Sequence, residues 1–193
     1  GSYTANDWSQ LRSSKGLTKE SAITNVFTNN SALSVFDSRN INMRESRDSK
    51  ESPCSTPIII GFDVTASMGY LAKELAVNSI NNTVLTLYNK KIVPNPHILC
   101  SAIGDCKSDV SPLQTTQFEA DVRIIKQLTD LFLEGGGGGN GGESYNLLWY
   151  FVAKHTASDC DEKRHKKGFL FTIGDDKCHP DLSVSEIRKV FND

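Results

Sequence analysis

Three short apolar runs break a chain whose other hydrophobic positions recur at helical spacing. The first, Ile58-Ile59-Ile60-Gly61-Phe62, stops at Asp63. Its β-branched residues suit a central parallel strand covered on both faces. The second, His97 to Gly104, ends at Asp105, and the third, Gly168 to Gly174, ends at Asp175 and Asp176. Between the first two, Leu71, Leu75, Ile80, Val84, Leu87 and Tyr88 keep near-helical spacing without glycine or proline, which predicts a helix over 70–88. Val122, Ile125, Leu128, Leu131 and Phe132 predict another over 118–133, after a loop at 112–118. Further helices are expected at 146–154 and 183–191. Upstream, Trp8, Leu11, Leu17, Ile23, Val26, Phe27 and Leu33 suggest two short amphipathic helices around Lys15-Gly16. Residues 36–57 turn charged and turn-rich, a linker or arm whose Arg44 and Arg47 read as solvated surface. Strands alternating with helices predict an α/β protein with a doubly wound, mostly parallel sheet flanked by helices.

At 193 residues the chain fits one large domain, or a domain over 55–193 preceded by an arm over 1–54. Gly1-Ser2 reads as a cloning remnant. Apolar content of 38%, charged content of 23% and a net charge of −2 give no reason to expect nucleic acid or an anionic membrane as partner. No apolar stretch nears the roughly 18 residues of a membrane span, and no basic-then-apolar leader opens the chain, so a cytoplasmic location is expected. Five scattered cysteines suit reduced thiols better than a disulfide framework.

The chemistry gathers where the apolar runs end. Asp63-Val64-Thr65-Ala66-Ser67 puts one carboxylate and two hydroxyls on alternate positions of a turn, so that hard oxygens converge as Mg²⁺ or Mn²⁺ requires. The plainer alternative is that Asp63 and Ser67 cap the next helix. A parallel sheet places Asp63, Asp105 and Asp175 on one rim, where like charges repel and a bound cation is the simplest remedy. The run Gly135 to Gly142, interrupted at Asn140, is either a flexible linker or a loop that brings backbone close to a ligand. It lacks the lysine of a phosphate-binding loop, and it does not follow a strand as a dinucleotide fingerprint does.

Asp63-Val64-Thr65-Ala66-Ser67 resembles the metal-ion-dependent adhesion site of von Willebrand factor A domains, with Thr65 where that motif usually has serine. The likeness covers roughly residues 55–193 and implies a Rossmann-like fold. The glycine loop with Glu143-Ser144 matches the family's second loop in place, and Thr172-Ile173-Gly174-Asp175 matches the third. The family's second-loop threonine is absent, so that role falls to Ser144 or Glu143. The wording is most similar to an intracellular bacterial and phage branch of these domains. The chain ends after a helix where A domains often continue with further strands, which implies a truncated domain or a minimal sheet, with residues 1–50 supplying an edge element.

The resemblance implies a non-enzymatic binding module whose metal, Mg²⁺ or Mn²⁺, keeps a position open for an acidic group of a partner protein. Its ligands would come from Asp63, Thr65, Ser67, Ser144, Asp175, Glu143 and Asp105. Glu143 is expected to cap its own helix and leave Ser144 to the metal. The competing enzyme is a phosphatase of haloacid dehalogenase type using Asp63, but that chemistry needs an acid two residues later, where Thr65 stands. A polymerase turn at Gly174-Asp175-Asp176 lacks room for its other subdomains. A zinc site from His155, Cys160, His165, Cys178 and His179 lacks Cys-x-x-Cys spacing, and an RNA-binding role lacks a basic stripe.

Overall fold

A computed structural model of the chain describes residues 4–14, 27–68, 74, 78–136 and 142–193, apart from the side chains of Trp8, Leu11, Arg12 and Asn81. Helix α1 spans Ala5–Ser14; the second expected amino-terminal helix lies outside the described residues. Strand β1 (Arg44–Ser46) precedes β2 (Thr56–Asp63), helix α2 (Ile80–Lys90), β3 (Pro96–Ile103) and β4 (Leu113–Thr115). Then come α3 (Arg123–Thr129), α4 (Tyr145–Lys154), β5 (Thr156–Ser158), the single-turn α5 (Asp159–Glu162), β6 (Phe169–Ile173) and α6 (Val184–Phe191).

The main sheet runs β4-β3-β2-β6, with β2 parallel to both β3 and β6 and β4 antiparallel at one edge. Strand β2 is buried at every position because helices cover both of its faces. On one face Ile58, Ile60 and Phe62 pack with Ile80 and Val84 of α2 and Ile124, Ile125 and Leu128 of α3. On the other, Ile59 packs with Leu147, Leu148 and Phe151 of α4 and Val190 and Phe191 of α6. A Cβ at Gly61 would collide with Leu148, so glycine at that strand position is what lets α4 lie close on the sheet. The chain is thus an α/β protein with mostly parallel open sheets flanked by helices, compatible with a Rossmann-like fold. Among the described residues no helix is long and apolar enough to cross a membrane, and all five cysteines are free.

Several expectations need correction. The stretch expected as a loop at 112–118 contains β4, and the helix expected over 118–133 shrinks to Arg123–Thr129, because Glu119 exchanges backbone hydrogen bonds with Ile98 (2.8 and 2.9 Å). Strand β6, expected in the core, is the sheet's other edge, and Phe169, Leu170 and Phe171 are 47, 38 and 52% exposed. The charged stretch is not simply solvated surface. Arg44 is buried and donates to the carbonyls of Val35 (2.5 Å) and Thr115 (2.9 Å), and burial lowers its pKa to about 10. Arg47 pairs with Glu45, Asp159 and Glu162. The edge element it supplies, β1, joins β5 in a separate two-stranded parallel sheet, not the main one.

Candidate metal centre

Because β2, β3 and β6 are parallel, their carboxyl ends share one rim. The chain steps from β2 to β3 on one side and later places β6 on the other. The order therefore reverses between β2 and β6, where open α/β sheets form their binding crevice.

Asp63 forms the floor. It is fully buried, and its Oδ1 accepts from the backbone N–H (2.8 Å) and hydroxyl (2.7 Å) of Thr65. Its Oδ2 accepts from Tyr145 Oη (2.9 Å). Burial and the neighbouring carboxylate push the Tyr145 phenol well above its usual range, so this group stays protonated as a donor. Gly174 faces Tyr145 Oη where any Cβ would collide. From the floor the hydroxyls lead outward: Thr65 Oγ1 lies 3.1 Å from Ser67 Oγ, which donates to Asp175 Oδ1 at 3.0 Å. Ser67 and Asp175 are exposed and form the mouth. The start of the glycine loop lies against the same turn, since Ala66 N–H donates to Gly136 O (2.8 Å) and Gly135 N–H to Val64 O (3.2 Å). Residues 137–141 lie outside the description, and so does the start of the helix expected after Ser67.

Glu143 enters from the opposite side. Its backbone is clamped by the chain beyond β6: its N–H donates to Lys177 O, and its own carbonyl accepts from His179 N–H, both at 2.9 Å. The side chain is 2% exposed, and Oε2 has no hydrogen-bond partner among the described residues. Burial first, then the charges of Asp63, Asp105 and Asp109, push its pKa up to about 7, against a smaller lowering by the Thr65 hydroxyl. The N-cap position of α4 falls to Ser144, whose side chain makes no capping bond, and Glu143 stands one residue before it.

Ser144 is engaged elsewhere. Its hydroxyl donates to Asp105 Oδ1 (3.0 Å), accepts from Cys106 N–H (3.0 Å) and lies 3.2 Å from Cys106 Sγ. Asp105 also accepts from Lys107 N–H (3.2 Å) and Ser108 Oγ (3.0 Å), with His179 Nε2 at 3.2 Å. Burial pushes the Cys106 thiol up to about 11, which leaves it a poor nucleophile. Sequence reasoning did not single out Tyr145, Asp109 or the coupling of His179 to Asp105. Asp109 lies one helical turn after Asp105, which is a turn spacing in its own right; nothing in the pattern marks the other two.

Among the described residues no three His, Cys, Asp or Glu side chains form a ready metal cage. The oxygen set around Asp63 is instead mixed, carboxylates with hydroxyls. It holds more acceptors than protons: the single Thr65 hydroxyl proton faces Asp63, Ser67 and Glu143. No protein-family model, curated protein or solved structure matches the chain.

Proposed function

We propose that the chain is a metal-ion-dependent protein-binding module of the von Willebrand factor A type, with Asp63, Thr65, Ser67, Glu143 and Asp175 around a Mg²⁺ or Mn²⁺ ion, directly or through water. One observation carries this reading: Glu143 Oε2, buried without a partner among the described residues, beside the Asp63–Thr65 pair. A buried carboxylate oxygen with no donor costs about 1–3 kcal/mol or more, and a cation at that place removes the cost. The donor set fits a hard dication, being all oxygen, three carboxylates with two hydroxyls. Such an ion completes its coordination with water, and an Asp or Glu of a partner protein can displace that water at the exposed mouth beside Ser67 and Asp175. Among the described residues around the site, burial keeps the Cys106 thiol protonated, and Asp63 already accepts three hydrogen bonds.

The test is water-proton relaxation of the Mn²⁺-loaded protein, titrated with a glutamate-rich peptide. The reading expects bound Mn²⁺ whose relaxivity falls as the peptide displaces water, and recovery of free-ion behaviour on adding chelator. Protein that leaves Mn²⁺ free in solution, or bound Mn²⁺ indifferent to the peptide, would contradict it.

A further inference from the structure

Helix α4 brings one more side chain to the rim of the sheet. Its Leu147, Leu148 and Phe151 are fully buried, and the glycine at position 61 lets the helix lie close on β2. Packing of this kind fixes the helix, and with it the place of Tyr145 in its first turn. Tyr145 is 6% exposed, and its hydroxyl meets two different loops. It donates to Asp63 Oδ2 (2.9 Å) at the end of β2 and takes a longer contact, 3.4 Å, from the Asp176 N–H beyond β6. Glycine at position 174 leaves the phenol its room, since a Cβ there would collide with Oη.

Strands β2 and β6 are neighbours in the sheet, and the Ser67–Asp175 hydrogen bond (3.0 Å) joins the same two loops at the mouth. The loops are therefore tied twice, by an exposed pair at the mouth and by a buried phenol at the floor. The two ties answer differently to an ion. Ser67 and Asp175 are among its proposed ligands, so an ion takes over their contact. Tyr145 is not, and its bond to Asp63 persists beneath. What a buried tie of this kind fixes is the width of the site. Mg²⁺ requires near-ideal octahedral oxygens at about 2.0–2.1 Å, whereas Ca²⁺ accepts roughly six to eight oxygens at about 2.3–2.6 Å in flexible arrangements, so rigidity separates the two ions. Resting on the metal-module reading above, we infer that Tyr145 is a positioning residue that makes the site selective for Mg²⁺ over Ca²⁺, by holding Asp63 and the loop after β6 at a fixed spacing.

The test is competition of Mg²⁺ and of Ca²⁺ against Mn²⁺, read as free Mn²⁺ by electron paramagnetic resonance, in wild type, Tyr145→Phe and Tyr88→Phe, each shown to be folded by circular dichroism. Tyr88 is the structural comparison, because its hydroxyl donates to Pro96 O (2.8 Å) at the opposite end of the sheet. Tyr145→Phe is expected to lose about tenfold or more in Mg²⁺ affinity and less than about threefold in Ca²⁺ affinity. Tyr88→Phe should melt at a lower temperature and change neither affinity. Gly174→Ala keeps the hydroxyl but crowds it off Asp63, and should narrow the preference for Mg²⁺ as Tyr145→Phe does. Equal losses for the two ions in Tyr145→Phe, unchanged Mg²⁺ affinity in that variant, an unchanged preference in Gly174→Ala, or the same narrowing in Tyr88→Phe would overturn the role of Tyr145 and leave the metal site standing. Wild type that binds no Mn²⁺ would overturn both.

Discussion

Two acidic regions share the rim of the sheet and are built in opposite ways. Around Asp105 every carboxylate is met by donors: Asp105 by Lys107, Ser108, Ser144 and His179, Asp109 by the Asp105 N–H (2.9 Å), and Glu134 by the N–H groups of Val110 and Ser111 (3.0 Å each). Around Glu143 the oxygens outnumber the protons, and one buried carboxylate oxygen has no donor among the described residues. Charge counting does not separate the two regions; donor counting does. The donor-rich acids hold the loop after β3 in shape, and the donor-poor ones are those assigned to the proposed cation.

The largest expected effect therefore belongs to the structural side. Asp105→Ala strands several buried donors and should lower stability by about 3–5 kcal/mol in chemical denaturation. A loss below about 1 kcal/mol would erase the distinction.

Asp63→Asn comes next, on the other side. The amide oxygen still accepts from Thr65, so the fold should persist, while Mn²⁺ affinity drops by about a hundredfold or more. Unchanged affinity in equilibrium dialysis would remove Asp63 from the site.

Glu143 supplies the pH signature. Its proton is held more tightly in the folded chain, with a pKa of about 7, than in the unfolded chain near 4.5. Metal-free protein should keep the Glu143 contribution below about pH 4.5 and lose it as pH rises through 7. Glu143→Gln should flatten this decline without abolishing it, because burial also raises Asp109. Melting curves across that window, run in chelator, decide the point: equal slopes in the two proteins would mean that Glu143 is not the strained group.

The smallest effect is expected at Ser144. With its hydroxyl committed to Asp105 and Cys106, Ser144→Ala should cost about 1 kcal/mol of stability and leave Mn²⁺ affinity within about threefold. This reverses the order that the hydroxyl chemistry of the sequence motif suggests, in which Ser144 stands nearer the metal than Glu143 does.

Much of the sheet was legible because uninterrupted isoleucines over 58–60 admit little but a strand buried on both faces. The position of β6 was not, since Phe-Leu-Phe has the same composition at an edge as in a core; what exposes it is that no further strand lies beside it among the described residues. Arg44 was misread because a charge run predicts solvent, whereas two backbone carbonyls make its burial tolerable. At the site, the Asp63-Thr65-Ser67 turn followed from spacing along one segment. The roles of Glu143 and Ser144 did not, because Glu143 is fixed by residues 177–179, far along the chain, and Ser144 by the loop after β3.

The proposal that the Glu143 oxygen without a partner among the described residues marks a cation site is met most directly by counting free Mn²⁺ with electron paramagnetic resonance in solutions of wild type and Glu143→Gln. One ion bound per wild-type chain, and affinity at least about tenfold weaker in the variant, is the expected result; equal binding by both proteins, or no binding by wild type, would contradict it.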